Sequence, residues 1–233
     1  MWKAIACDID GTLTNENHLL DLEALTWLRI AEKAGLTIIL SSARTKLELR
    51  IASGFFGTTG PVVAENGGIV WHRSTREEKV LGDLEKVQEA YTIISSRIPD
   101  LERVLEGYRE TDVMVRGRRA TEIVPIIQSE KLDVHLLESA HVTCITDSST
   151  DKGVGLKVAS MMIGINPNQA VAVGDAHNDI ALFKAAGAGF AVANAEERLM
   201  HVATKVMDRP YGGGFADAIK EVLRDNNGEK EIS

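Results

Sequence analysis

The stretch KAIACDIDGTLT, residues 3–14, joins a short apolar run to two carboxylates and a glycine. The run Lys3–Cys7 predicts a buried β-strand, and Asp8 and Asp10 follow where that strand ends. Side chains two residues apart on an extended chain point to the same side, so both carboxylates can share one site. Gly11 permits a sharp exit from the strand. A polar turn is the alternative interpretation, because Asp is common in turns.

Strands and helices alternate on both sides of the chain's middle. This alternation predicts an α/β fold with a doubly wound, Rossmann-like parallel sheet. The predicted strands are Lys3–Cys7, Leu36–Leu40, Val62–Ala64, Ala170–Val173 and Phe190–Ala193, and the predicted helices are Asp21–Lys33, a stretch from Thr45, Leu156–Ile163 and Ile180–Ala186. Asn194, with Glu197 three residues on, is typical of a helix start. A last helix is expected after the glycine run Gly212–Gly214, and the polar tail Asp225–Ser233 is expected to be frayed.

The middle of the chain has a different pattern. Residues 83–149 predict the order αββαββ: a helix over Asp83–Arg97, a hairpin of Arg103–Glu106 and Thr111–Arg116, a helix that Pro125 opens, and a hairpin of Val134–Leu137 and Val142–Thr146. We interpret this segment as a small α+β cap inserted into the α/β core. The core then consists of residues 1–82 and 150–233.

Composition excludes several classes of protein. The chain has 233 residues, 44% of them hydrophobic, which is enough for a substantial core. Its formal net charge of −8 argues against binding to nucleic acid or to an anionic membrane. Two cysteines are too few for a disulfide framework or a thiolate metal cage. No apolar run has the length of a membrane span and no signal segment is apparent, so a cytoplasmic location is expected.

A second acidic cluster follows another apolar strand, in the sequence Val173–Asp179. Ligands of open α/β sheets bind at the carboxyl ends of strands, so Asp175 and Asp179 are expected to meet Asp8 and Asp10 in one crevice. Like charges about 4 Å apart repel by about 4 kcal/mol at an effective dielectric constant of 20, and a divalent cation relieves that repulsion. An all-oxygen donor set favours Mg²⁺. A turn carboxylate and a helix N-terminal carboxylate are the alternatives for this pair.

Three further residues have both a functional and a structural interpretation. Ser42, in the sequence Ser41–Arg44, can hold an anion with its hydroxyl and neighbouring amides, or can be an ordinary helix N-cap. Lys152 can balance the charge of a phosphoryl group, or can be a solvated surface residue. His177 is interpreted as a loop residue rather than as a metal ligand.

Taken together, these motifs resemble the haloacid dehalogenase superfamily of phosphotransferases over essentially the whole chain. The matching segments are Asp8–Thr14, Ser42, Lys152–Gly153 and Gly174–Asp179, in the family's order, with the insert in the position of an α+β (type IIB) cap. Glu65–Gly68 resembles that subgroup's core loop, and the short chain with its compact cap is similar to archaeal-type phosphoglycolate phosphatases. Ala43 departs from the family's usual glycine, which weakens the transfer of a role to Arg44.

The resemblance implies Mg²⁺-dependent hydrolysis of a small phosphomonoester, 2-phosphoglycolate first among them, through an aspartyl-phosphate on Asp8. Asp10 would act as the general acid and base. The implied metal site consists of Asp8, the backbone carbonyl of Asp10, Asp175 and Asp179, while Ser42 and Lys152 would bind the phosphoryl group. The expected partner is a small phosphorylated metabolite, and homo-oligomerisation is left open.

Other functions remain as alternatives. A sugar-phosphate or mannosyl-3-phosphoglycerate phosphatase would share the same cap type. A phospho-acceptor receiver domain also places Asp, Ser or Thr, and Lys at strand ends, but its fold has no place for the insert. A nucleotide-binding loop is not supported, because the sequence lacks the glycine spacing that such a loop requires. Four arginines near the first cap hairpin could pair with a substrate carboxylate or form a solvated basic edge: Arg109, Arg116, Arg118 and Arg119.

Overall fold

Strand β1, Ala4–Cys7, lies at the centre of an eight-stranded sheet. A computed structural model of the protein describes residues 1–139 and 141–228. Strand β1 pairs in parallel with β2, Thr37–Ser41, on one side and with β10, Ala170–Gly174, on the other. All four β1 residues are fully buried, as expected for a strand that is covered on both faces.

The sheet extends in both directions from these three strands. Its order is β12 (Lys205–Val206), β11 (Ala188–Ala191), β10, β1, β2, β3 (Val62–Ala64), β4 (Ile69–Trp71) and β5 (Glu78–Val80). The first six strands are parallel, which confirms the predicted parallel sheet. Strands β4 and β5, of three residues each, add an antiparallel edge that was not predicted from the sequence.

Helices cover both faces of the sheet, so the fold is doubly wound. They are α1 (Leu22–Lys33), α2 (Lys46–Phe56), α5 (Lys152–Met162), α6 (Ile180–Ala185), α7 (Glu197–Met200) and α8 (Tyr211–Asn227). Ile5 of β1 packs with Leu28 and Phe215 on one face, whereas Ala4 and Ala6 pack with residues of α5 and α6 on the other. In the part of the chain that the structure describes, no helix combines the length and apolarity needed to cross a membrane.

A second, four-stranded sheet belongs to the inserted segment. Its elements follow the predicted order αββαββ: α3 (Leu84–Arg97), β6 (Arg103–Val104), β7 (Asp112–Arg116), α4 (Ala120–Glu130), β8 (Val134–Glu138) and β9 (Val142–Asp147). The strands are antiparallel in the order β6-β7-β9-β8, and the two helices pack on one shared apolar cluster with them. The division into a core and a cap at residues 83 and 149 stays a prediction.

Three predicted helix starts were wrong, each for a local reason. Pro125 is the sixth residue of α4 rather than its first, so the helix accommodates the missing amide in its second turn. Helix α7 has Glu196 as its N-cap, because the side chain of Asn194 instead binds the Gly11 carbonyl and the Tyr211 amide. Helix α8 includes the glycine run. Gly212 is small because of its packing rather than because it precedes a helix, since a Cβ there would lie 2.3 Å from the Asp21 carboxyl carbon.

Two smaller differences concern the C-terminal part of the chain. Strand β11 lies two residues earlier than predicted, in register with β10. Helix α8 continues to Asn227, so the first residues of the tail that was expected to be frayed are helical, and residues 229–233 lie outside the described residues.

Candidate active site

Asp8 leaves strand β1 at the carboxyl edge of the sheet. Its backbone amide donates to the Val173 carbonyl at 3.0 Å, and Cys7 stands opposite Val173 in the parallel register. Because the two strands end together, the residues that follow them are neighbours although they are far apart in sequence. Asp8 is 5% exposed, so its carboxylate is largely shielded from bulk water.

Lys152 is the cation that compensates this carboxylate. It opens helix α5 next to the N-cap Asp151, and it is 1% exposed. Its Nζ donates to Asp8 Oδ1 and to Asp179 Oδ1, each at 2.6 Å. Burial alone would lower the pKa of Lys152, but Asp179 and Asp8 raise that pKa above its ordinary value. The solvated-lysine interpretation is therefore wrong, and Lys152 is charged within the site.

Asp175 and Asp179 belong to the loop that follows β10. Asp179 Oδ2 accepts hydrogen bonds from the amides of Asp175 and Ala176, both at 3.1 Å, and Thr12 Oγ1 donates to Asp175 Oδ1 at 2.9 Å. Burial, with the Asp179 charge, raises the pKa of Asp175 to about 7. Burial also raises the pKa of Asp8 well above its ordinary value, which Lys152 only partly offsets. The site thus carries more negative charge than its own lysine neutralises.

The three carboxylates fit a divalent cation. Asp8, Asp175 and Asp179 each offer an oxygen, and these oxygens all lie within 4.8 Å of one another. Three carboxylates against one lysine leave an excess of two negative charges, and oxygen ligands suit a hard ion. The Asp10 carboxylate is not a member of this group.

Two glycines allow the carboxylates to approach the backbone. Gly11 has φ of +86°, and a Cβ there would lie 2.3 Å from Asp175 Oδ2. A Cβ at Gly174 would lie 2.5 Å from Asp179 Oδ2. Any larger residue at either position would displace a carboxylate, so the glycines are part of the site's geometry.

Asp10 forms a bidentate ion pair with Arg44. Arg44 Nε and Nη2 donate to the two Asp10 oxygens at 2.8 and 2.7 Å, and this hydrogen bonding raises the pKa of Arg44. No role for Arg44 was predicted from the sequence. Its spacing of two residues from Ser42 was the available signal, although the contact with Asp10 depends on the pairing of β1 with β2.

Ser42 is buried in the turn after β2. Its Oγ accepts from the Arg44 amide at 3.2 Å, and its own amide donates to the Val63 carbonyl. Thr45, not Ser42, is the N-cap of α2, with a complete capping box to Glu48. The N-cap interpretation of Ser42 is therefore wrong.

A cavity of about 360 Å³ lies between the carboxyl edge of the sheet and the second sheet. Asp8, Asp10 and Ser42 line it from the core, and Leu105, Met114 and Val142 line it from the inserted segment. An adjoining cavity of about 300 Å³ is lined by Asp10, Asp175 and Asn178, among others. Of the predicted site residues, Asp8, Asp10, Ser42 and Asp175 line these two cavities. Lys152 lies behind them and contacts both Asp8 and Asp179.

Two of the remaining candidates also border the cavities, because Arg109 lines the larger one and His177 lines the adjoining one. His177 Nδ1 is 3.1 Å from Glu196 Oε1, as expected for a loop residue. Each of the four candidate arginines is paired with a carboxylate of the inserted segment: Arg109 with Asp112, Arg116 with Glu102, Arg118 with Glu138, and Arg119 with Asp100 and Glu122.

Several carboxylates and a buried lysine lie at the edge of a doubly wound sheet, under a smaller α+β layer. This arrangement is typical of hydrolases that act by phosphoryl transfer. A family model described as haloacid dehalogenase-like hydrolase matches residues 5–136 and 120–219, and the chain belongs to that family.

Full-length relatives have a more specific description. A phosphoglycolate phosphatase of Methanosarcina acetivorans is 34% identical over 226 residues, which cover 97% of this chain and 98% of the relative. A phosphoglycolate phosphatase of Archaeoglobus fulgidus is 36% identical over 219 residues, covering 94% and 96%. The solved structure of a Thermoplasma acidophilum protein superposes with a TM-score of 0.84 at 22% identity and covers 96% of this chain and 99% of that one, which shows the shared fold.

Proposed function

We propose that the protein hydrolyses a small phosphomonoester, 2-phosphoglycolate, with Asp8 as nucleophile, Mg²⁺ as cofactor and residues 83–149 as a cap over the site. The observation that supports this most directly is the buried group of Asp8, Lys152, Asp175 and Asp179 at the floor of a cavity that the inserted segment covers.

Asp8 attacks phosphorus in line and displaces the alkoxide, which gives an aspartyl-phosphate. A covalent carboxylate intermediate divides one difficult displacement into two easier ones. Lys152 donates to Asp8 Oδ1, so it fixes the orientation of the nucleophile and favours the ionised form of its carboxylate. The second step is attack of water on the aspartyl-phosphate, which releases phosphate and restores Asp8.

Asp10 serves both steps as the proton carrier. Its carboxyl group protonates the leaving alkoxide in the first step and takes a proton from the attacking water in the second. In the structure Arg44 binds both oxygens of Asp10 at the wall of the cavity, so Asp10 takes up and donates its proton only after this ion pair opens. The backbone carbonyl of Asp10 is assigned to the metal site.

Asp8, Asp175 and Asp179 would hold the divalent cation. When bound, Mg²⁺ neutralises the charge that builds up on the phosphoryl oxygens. Ser42 offers a hydroxyl to the same phosphoryl group, and Lys152 adds a positive charge beneath it. The cap excludes bulk water during attack on phosphorus.

The choice of 2-phosphoglycolate rests on the full-length relatives, which are named phosphoglycolate phosphatases. The test is a comparison of kcat/KM for 2-phosphoglycolate, 3-phosphoglycerate, hexose phosphates and mannosyl-3-phosphoglycerate with Mg²⁺ present and with EDTA. We expect 2-phosphoglycolate to be preferred and EDTA to abolish turnover.

The Asp8→Asn variant, assayed in parallel, shows whether the turnover belongs to this site. A strong preference for a sugar phosphate would replace the proposed substrate, while stable phosphorylation of the protein without turnover would point to a receiver-type function instead.

A further inference from the structure

The loop Glu65–Gly68 has a backbone conformation that ordinary residues avoid. Glu65, Asn66 and Gly67 have φ of +50°, +55° and +103° in succession. Two consecutive non-glycine residues in the left-handed region are costly, so the surrounding contacts must hold them there. The loop directly follows β3 and is completely buried.

The carboxylate of Glu65 joins this loop to the inserted segment. Glu65 Oε2 accepts three hydrogen bonds, from the amides of Glu110 and Thr111 and from Thr111 Oγ1, each at 2.9 Å. Glu65 is 0% exposed, and burial together with the nearby Asp112 charge raises its pKa. A buried carboxylate is expensive unless it is well hydrogen-bonded, and here one oxygen carries all of that bonding.

Thr111 is also held by close packing. A Cβ at Gly68 would lie 2.0 Å from Thr111 Oγ1, and one at Gly82 would lie 2.8 Å from Thr111 Cβ. The amides of Leu81 and Gly82 donate to the Gly68 carbonyl at 2.7 and 3.2 Å. The loop Glu65–Gly68 and the first cap hairpin therefore meet at the first chain crossing, which is the connection from core to cap at residues 81–83.

The second chain crossing, which is the connection from cap to core at residues 147–149, is hydrogen-bonded to the first. Asp147 Oδ2 accepts from the Asp83 amide at 3.0 Å, and Asp147 Oδ1 accepts from the Ser149 amide at 2.9 Å. Although burial opposes it, hydrogen bonding from Lys86 and from the Ser149 and Asp83 amides lowers the pKa of Asp147 to about 2. Both crossings are thus tied to one ionised carboxylate.

A third contact connects the same hairpin to the turn that carries Ser42. Arg109 is paired with Asp112, and its Nη2 also donates to the Ala43 carbonyl at 2.9 Å. Ala43 lies between Ser42 and Arg44, which contacts Asp10. The orientation of the hairpin and the position of the turn are therefore mechanically linked.

We propose that Glu65 is a positioning residue: a buried pivot that fixes the first cap hairpin on the core and sets the orientation of the cap over the cavity. The cap is held at the point where Glu65 binds Glu110 and Thr111, beside the two chain crossings, so that Arg109 meets Ala43 in one orientation. Selectivity for a small substrate depends on that orientation, and this part of the inference rests on the proposed function.

The test compares Glu65→Ala with Glu65→Gln. A glutamine oxygen keeps a hydrogen-bond acceptor at this position without the charge, whereas alanine removes all three hydrogen bonds. Spin labels are attached to Thr26→Cys in the core and to Ser96→Cys in the cap. Pulsed electron paramagnetic resonance then measures the distance between the two labels. Both native cysteines are buried, so the exposed labels react selectively. We expect one narrow distance distribution for the parent and for Glu65→Gln, and a broad one for Glu65→Ala.

Kinetics add a measurement that general destabilisation would not change in the same way. In Glu65→Ala, the ratio of kcat/KM for 2-phosphoglycolate to that for p-nitrophenyl phosphate should fall by at least about tenfold, because a loosened cap no longer excludes the bulkier ester. Glu65→Gln should keep the parent ratio. Equal losses on both substrates would mean that Glu65 only stabilises the fold.

Two results would overturn the pivot directly. One is a distance distribution in Glu65→Ala as narrow as that of the parent. The other needs no variant and covers the case in which Glu65→Ala does not fold: rapid hydrogen exchange of the Glu110 and Thr111 amides in the native protein. If the parent hydrolyses no phosphomonoester, the distances and the exchange rates still test the pivot, so the two failures can be told apart.

Discussion

Replacing Lys152 by methionine removes the cation that contacts both Asp8 and Asp179. Methionine has nearly the shape of the lysine stem, so the change leaves little empty space. It leaves two carboxylates, 5% and 0% exposed, without the ammonium group that donates to each at 2.6 Å. The substitution therefore isolates the electrostatic part of the site from its packing.

The expected loss of stability is large. Removing one partner from a buried ion pair costs about 3–5 kcal/mol, because an uncompensated charge stays buried. Burial raises the pKa of Asp8, so at lower pH this carboxylate takes up a proton in the folded state and its repulsion with Asp179 fades. The loss should thus be greatest near pH 7 and smaller near pH 5, since the folded variant binds more protons than the unfolded chain across that interval.

Urea unfolding in EDTA, at pH 7 and pH 5, measures both effects. The chain offers a matched control, because Lys46 also bridges two carboxylates, those of Glu78 and Glu110, but near the surface. Exposed ion pairs contribute about 0–1 kcal/mol, so Lys46→Met should lose far less stability than Lys152→Met.

The electrostatic reasoning would be refuted by a Lys152→Met variant that loses no more stability than Lys46→Met at pH 7. A loss that is the same at both pH values would also contradict it, because the cost would then come from packing rather than from stranded carboxylates. Lys152→Met should in addition be inactive at either pH.

Three further predictions concern the acidic cluster. Asp8→Asn should unfold at the parent's urea midpoint or above it, yet show at least about a thousandfold lower phosphate release, since the amide is not a nucleophile. The raised pKa of Asp175, about 7, predicts that the metal-free protein loses stability as pH rises from about 4 to about 7, because the unfolded carboxyl ionises at lower pH; urea titrations should show this slope, and Asp175→Asn should flatten it while raising the Mg²⁺ concentration needed for activity. Gly11→Ala should cost about 1–3 kcal/mol more than Gly35→Ala in the same titrations, because the two glycines have φ of +86° and +87° but only Gly11 faces a carboxylate.

The chemistry-bearing residues were predictable because they follow apolar strands. Asp8, Ser42 and Asp175 each come after a recognisable run of buried residues, and parallel strand ends meet at one edge of a sheet. Lys152 was predicted to bind the phosphoryl group, but its contacts with Asp8 and Asp179 could not be predicted, because only the packing of α5 makes it a buried cation. The bidentate contact of Arg44 with Asp10 was also invisible, since it joins two different strands.

Two of the errors in the fold arose where a side chain contacts a residue far away in sequence. Asn194 has the spacing of a helix cap, yet its amide group bridges Gly11 and Tyr211. Gly212 is a residue type that is uncommon inside helices, yet it lies within α8 and is small because Asp21 packs close to the helix. Local propensity cannot distinguish these cases, because the competing contact lies far away in sequence.

The central position of β1 has a consequence for how the protein is synthesised. Ala4 pairs with Ala170, so the second neighbour of β1 leaves the ribosome only after the whole inserted segment. Until then β1 is an open sheet edge and Asp8 has neither Lys152 nor Asp179 beside it. The N-terminal part of the nascent chain is therefore inactive and prone to pair with other strands, and the site is completed in one late step when β10 joins the sheet.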